Sequence, residues 1–237
     1  MKSKSTTEDL LADYPANAIA VVGMSCKLPG ADSVEEFWQL LTKGTAMAEQ
    51  VPESRWPESV TSRGKASKKK FWGNFLKDID AFDHRFFKKS AREAASMDPQ
   101  QRLLLQAAYE ALESSGYFSS KANSASYSHE ARNIGCYIGL CAVDYDMNTT
   151  CHAPNAFSTL GTLRAFLSGK LSHYFGWSGP SLTFDTACSS SAVAIHTACR
   201  ALQANECTQA LAGGIALFTS PYLYENLAAA HFLSPTR

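Results

Sequence analysis

Asp185-Thr-Ala-Cys-Ser-Ser-Ser191 is the stretch on which the reading of this chain turns. The residues before it, Ser181-Leu-Thr-Phe184, form a short apolar run that predicts a strand. The residues after it, Ala192 to Leu202, predict a helix. A cysteine at such a strand-to-helix turn sits over the positive end of the helix dipole, which favours the thiolate. The unpaired amides of the first helical turn face whatever the sulfur attacks, which is oxyanion-hole geometry. Ala187 and Ser189 to Ser191 are small, so an acyl group can approach. The arrangement is the cysteine counterpart of a nucleophile elbow. The competing reading is a small buried core residue, the usual fate of a lone cysteine. Strand, small-residue turn and helix in that order favour the nucleophile, Cys188.

Outward from the turn, the pattern is of strands alternating with helices. Upstream, a helix is predicted over 158–175, with Leu160, Leu163, Leu167, Leu171 and Tyr174 on one side and Gly176 and Gly179-Pro180 at its end. Ile134 to Leu140 predicts a strand. Asp98-Pro99 opens a helix, with aspartate as N-cap and proline at the first helical position. Leu104, Ala108, Ala111 and Leu112 form its apolar stripe, Gly116 ends it, and 119–132 is polar and loop-like. Ala18 to Val22 predicts a strand buried on both faces, closed by Gly23. Ser33-Val-Glu-Glu36 predicts a capping box opening a helix that stops at Gly44. Residues 45–70 are irregular, and Phe71, Trp72, Phe75, Phe82, Phe86 and Phe87 are expected to pin a long loop to the core. Downstream, 210–217 predicts a strand whose glycines permit close backbone approach, and 221–230 a helix. The order indicates an α/β fold with helices layered on a sheet.

The chain has 237 residues, 45% of them hydrophobic, with 22 basic against 22 acidic. That suits a globular protein of one or two domains with a substantial core. A zero balance argues against nucleic acid as a partner, and the run Lys65-Ala-Ser-Lys-Lys-Lys70 reads as a solvated loop. No apolar run approaches a membrane span, and the first ten residues lack the core of a signal peptide, so a cytoplasmic protein is expected. The seven cysteines are odd in number and none has C-x-x-C spacing, which disfavours zinc or a disulfide framework. Cys136 and Cys199 read as core residues.

Taken together, these residues resemble the N-terminal half of a β-ketoacyl synthase domain of a type I iterative polyketide synthase. The motifs are Ile19-Ala-Val-Val-Gly-Met-Ser-Cys-Lys-Leu-Pro-Gly30, Met97-Asp-Pro-Gln-Gln-Arg-Leu103, Tyr109-Glu-Ala-Leu-Glu113, Asp185-Thr-Ala-Cys-Ser-Ser190, Ala212-Gly-Gly214 and the segment 226–236. The stretches Phe71 to Phe75, Phe86 to Ala95 and His173 to Trp177 resemble the fungal non-reducing kind. The resemblance divides the chain into a polar tail or linker over 1–17 and a ketosynthase half over 18–237. It implies a thiolase-like fold, layered α-β-α-β-α and paired as a homodimer, of which this chain supplies the first half. It implies that Cys188 takes an acyl chain from a thioester on an acyl carrier protein. A malonyl-type extender then loses carbon dioxide and its enolate attacks the acyl-cysteine. No cofactor or metal is expected on the chain, since phosphopantetheine arrives on the carrier protein.

The resemblance also sets a limit. Family members carry two catalytic histidines, in His-Gly-Thr and Asn-x-Gly-His motifs, which have no match here. His196 is eight residues past Cys188 on the same predicted helix, about 12 Å along its axis, too far for proton transfer. His173 and His231 read as structural, and His84, His129 and His152 as loop residues. The expectation is therefore an acyl-accepting half not competent for full condensation alone. The alternatives are a truncated non-catalytic fragment or gene remnant, or a stand-alone cysteine acyltransferase.

Overall fold

A parallel sheet carries the Cys188 turn, and the sequence shows why it forms. The computed structural model describes residues 14–15, 17–55, 71–122, 132–146 and 153–234. The lysine run, Cys151, His129, His152 and most of the predicted tail lie outside them. In chain order the elements are α1 (Val34–Lys43), β1 (Glu49–Gln50), β2 (Trp72–Gly73), α2 (Ala91–Ser96), α3 (Pro99–Ser114), α4 (Tyr117–Ala122), β3 (Ile134–Leu140), α5 (Ser158–Thr162), α6 (Phe166–Phe175), β4 (Ser181–Phe184), α7 (Ser190–Gln203), β5 (Gln209–Ile215) and α8 (Pro221–Ala229).

The sheet runs β4-β3-β5, all parallel, with Cys136 opposite Ser181 and Leu211. Every residue of β3 is buried, because both of its faces are covered. Its even residues Ile134, Cys136, Ile138 and Leu140 share a core with Leu104, Leu105, Ala108 and Leu112 of α3 and Leu167, Leu171 and Phe175 of α6. Its odd face meets α7 through Tyr137, which packs with Ala194, Ala198, Ala201 and Cys207. The described residues thus form three layers, α-β-α. The alanines recur along one face of α7 and let that helix lie close on the sheet.

Local chemistry explains the helix ends. Ser33 Oγ accepts from Glu36 N at 3.2 Å, while Glu36 Oε2 reaches back to Asp32 N at 2.7 Å. Asp98 Oδ1 accepts from Gln100 N at 2.8 Å, as expected of an N-cap. Asp98 is buried, and burial pushes its carboxyl up to about 6, against the lowering effect of the two Gln100 hydrogen bonds; Asp144 and Asp146 add to the rise. The fold therefore binds this proton more tightly than the unfolded chain does. The stabilisation is fully present below the ordinary aspartate value near 4 and is lost as pH rises through about 6. Asp98→Asn should gain stability relative to the parent, by on the order of 2 kcal/mol, between pH 4 and 7. Urea midpoints of both proteins across that range check this; a pH-independent difference would contradict it.

Several sequence expectations need correction. Ala18 to Val22 is neither a strand nor buried: Val21 is 76% and Val22 71% exposed. Among the described residues no strand pairs with it, and an apolar run without a pairing edge stays irregular. Instead Gly23 lies against Ala111 and Ser115, and Ser25 Oγ donates to Ala107 O at 2.6 Å. The helix predicted over 158–175 is two helices. Gly161 O accepts from Asp98 N at 2.8 Å, so that carbonyl is drawn to a tertiary partner, and Leu163 turns extended. Leu160 and Leu163 are consequently exposed, while Leu167 and Leu171 are buried. Within 119–132, residues 119–122 continue the helix α4. The strand after the Cys188 helix ends at Ile215, not Leu217. Cys199 is only half-buried, whereas Cys136 is fully buried. Among the aromatics, Phe71 and Phe87 are buried as expected, and Phe86 stays 46% exposed while packing edge-on to Tyr109.

Candidate active site

Cys188 is exposed, in the turn beyond the carboxyl end of β4, next to Ser189, the N-cap of α7. In open parallel sheets this end is where ligands bind. Two glycines bring the helix start down onto the sheet. A Cβ on Gly139 of β3 would lie 2.4 Å from the Ser190 carbonyl carbon and 2.5 Å from Ser191 N. A Cβ on Gly214 of β5 would lie 2.6 Å from Ser191 Cβ. Gly213, by contrast, has open space around it.

The turn itself is strained. Ala187 sits at φ 54°, the left-handed region that costs a non-glycine residue about 1–2 kcal/mol. Such strain one residue before a candidate nucleophile persists only where surrounding bonds enforce it. Several do. Ser190 N and Ser190 Oγ both donate to Ala187 O, at 3.1 and 2.7 Å. Asp185 Oδ1 accepts from Ala187 N at 3.4 Å, and Asp185 Oδ2 pairs with Arg164. Ser189 Oγ donates to Thr186 O at 2.7 Å. The sequence reading found the small residues here but took them only as room for substrate. The close approach at Gly214 agrees with the reading of the glycines in 210–217, whereas Gly139, the left-handed alanine and the Arg164–Asp185 pair were missed; none follows a periodicity.

Behind the turn lies a buried polar lattice. Gln100 Nε2 donates to Ala142 O at 2.9 Å, and Gln100 Oε1 accepts from Leu217 N at 3.0 Å. Asp144 accepts from Thr219 N, Thr219 Oγ1 and Ser220 N at 2.6–3.1 Å. These bonds tie the segments after β3 and β5 together at the same end of the sheet.

Among the described histidines, His84 lies in a loop and His196 on a helix as expected, whereas His173 and His231, read as structural, are both exposed. His84 Nδ1 lies 2.8 Å from Lys89 O within its loop. His173 ends α6, His196 is exposed on α7, and His231 follows α8 at φ 60°. Among the described residues, no histidine hydrogen-bonds to Cys188. No helix among them is long and apolar enough to cross a membrane.

Residues 16–237 match the family described as Beta-ketoacyl synthase, N-terminal domain. The chain is 66% identical over 223 residues to a methylphloroacetophenone synthase of Cladonia uncialis, covering 94% of this chain and 8% of that protein. It is 64% identical over 218 residues to the non-reducing polyketide synthase pkbA of Emericella nidulans, covering 92% and 8%. It thus spans about a twelfth of the length of these relatives. Among solved structures, an oxazolomycin ketosynthase domain of Streptomyces albus superposes with a TM-score of 0.75 at 32% identity, over 91% of this chain and 37% of that one. The ketosynthase from module 6 of the bacillaene synthase of Bacillus subtilis gives 0.72 at 31% identity, over 91% and 35%.

Proposed function

Since this chain belongs to the β-ketoacyl synthase family, as its N-terminal domain with the thiolase-like fold, we propose that Cys188 is the residue on which the growing acyl chain is held. The observation that carries this is the exposed sulfur on a strained turn, at the carboxyl end of a parallel sheet and the start of a 14-residue helix. In the loading step the Cys188 sulfur attacks the carbonyl carbon of an acyl thioester delivered on the phosphopantetheine arm of an acyl carrier protein. A tetrahedral oxyanion forms and collapses. The bond to the carrier sulfur breaks, and the carrier thiol takes the proton that Cys188 gives up. The Cys188 amide is one donor to the oxyanion. A malonyl-type extender then loses carbon dioxide, and its enolate carbon attacks the acyl-cysteine, lengthening the chain by two carbons. The second step needs donors for the developing enolate, which the family's two histidines would supply. We assign to these 237 residues the loading step only. The substrate class is polyketide intermediates, and β4, an edge strand with Leu182 43% exposed, is the edge we assign to pairing with a second copy.

Limiting iodoacetamide with peptide mapping tests the reading. Cys188 should label ahead of Cys141, which is also exposed. Cys136, whose thiol burial pushes up to about 12, and buried Cys207 should label last. Equal rates at Cys188 and Cys141 would count against Cys188.

A further inference from the structure

We infer that the Ser190 hydroxyl is a positioning residue for the loading step, aiming the Cys188 amide at the thioester oxygen; this rests on Cys188 being the acyl acceptor. Ser190 is 4% exposed, so its hydroxyl does not meet substrate. It lies beneath the turn at the first residue of α7, on the face that continues through Ala194 and Ala198. There it accepts from Thr186 N at 2.9 Å and donates to Ala187 O at 2.7 Å, with Leu140 O a second acceptor at 3.3 Å. One hydroxyl therefore links the end of β3 to both sides of the strained residue.

The consequence follows from peptide geometry. Ala187 O and Cys188 N belong to one planar trans peptide, in which C=O and N–H point in opposite directions. Holding Ala187 O inward on Ser190 turns the Cys188 N–H outward, to the side from which an acyl group reaches the exposed sulfur. The Ser190 amide also binds Ala187 O, at 3.1 Å, so losing the hydroxyl loosens this peptide plane without freeing it. It also strips Thr186 N of its buried acceptor. Removing an oxyanion donor outright costs roughly 10²–10³ in rate; loosening one should cost about 10-fold or somewhat more.

The test compares two reactions at one sulfur. Loading from an acetyl thioester builds an oxyanion, whereas alkylation by iodoacetamide displaces iodide and builds none. In the intact chain, Ser190→Ala should slow acetylation of Cys188 about 10-fold or more and change its alkylation less than about 3-fold. Protection of Cys136 and Cys207 from alkylation reports that the core is intact. Ser190→Thr, which keeps a hydroxyl, should recover most of the acetylation rate. Unchanged acetylation in Ser190→Ala, with Cys188 still loaded in the parent, would overturn this role and leave the nucleophile standing. So would an equal slowing of both reactions with Cys136 and Cys207 still protected, which would mark Ser190 as structural only. No acetylation of Cys188 in the parent would overturn the nucleophile itself, and this role with it.

Discussion

Cys188→Ser should lower acyl loading by about 10³-fold or more while leaving the fold intact. The two side chains differ by one atom, so packing at this exposed position hardly changes. Their chemistry differs greatly. A thiol at neutral pH is a few per cent thiolate and intrinsically nucleophilic, whereas a serine hydroxyl requires an adjacent base. General-base assistance contributes roughly 10²–10⁴ in rate. Among the described residues no side chain hydrogen-bonds to Cys188, and the imidazole nearest in sequence, His196, is exposed on α7, about 9 Å along the helix axis from its first residue. Time courses of adduct formation, read by mass spectrometry on the parent and Cys188→Ser, check this. A drop of less than about 10-fold would mean that a base does act there.

Gly139→Val should destabilise the chain by about 3 kcal/mol or more, a large share of the usual 5–15 kcal/mol for a domain. The atoms a Cβ would meet at 2.4–2.7 Å are Ser190 C, Ser191 N and Ser190 O, all backbone of the first turn of α7. Backbone cannot rotate out of the way as a side-chain tip can, so the helix must lift from the sheet. Since α7 also packs its alanines on Tyr137, lifting it opens that core. The same move releases the Cys188 turn, so loading should fall with stability. Gly213→Ala is the matched control: its Cβ meets nothing, and alanine loses less chain entropy in a strand than glycine does. It should be neutral or stabilising by less than about 1 kcal/mol. Urea midpoints for both variants measure the contrast; equal shifts would show that the contact across Gly139 is not what the stability depends on.

These expectations also show which parts of the molecule could be read without coordinates. Ile134 to Leu140 was legible because a strand buried on both faces is a continuous apolar run, and this one is covered by α3 and α6 on one side and α7 on the other. The ends of α1 and α3 were legible because Ser33 and Asp98 cap through their own side chains, a local event. Ser90 caps α2 in the same way, with Glu93 N as donor at 3.0 Å, so that helix was visible in Ser90-Ala-Arg-Glu93 and was overlooked. Ala18 to Val22 was misread because composition records a preference for burial, whereas a strand also needs an edge to pair with. The break at Leu163 depends on Asp98 N reaching Gly161 O across 63 residues, which no local pattern encodes. The site divides along the same line. Cys188 and its small neighbours stood out in sequence. The left-handed Ala187 and the hydroxyl of Ser190 beneath it acquire meaning only through bonds made in three dimensions.

The central claim is that an acyl group is carried on Cys188 through this turn. The most direct measurement is peptide mapping by mass spectrometry after incubating the chain with an acyl thioester and a malonyl-carrier protein. The acyl mass should appear on the peptide containing Cys188, be absent from the one containing Cys141, and vanish in Cys188→Ser. Acyl mass distributed over Cys141 and Cys188 alike, or persisting in Cys188→Ser, would contradict it.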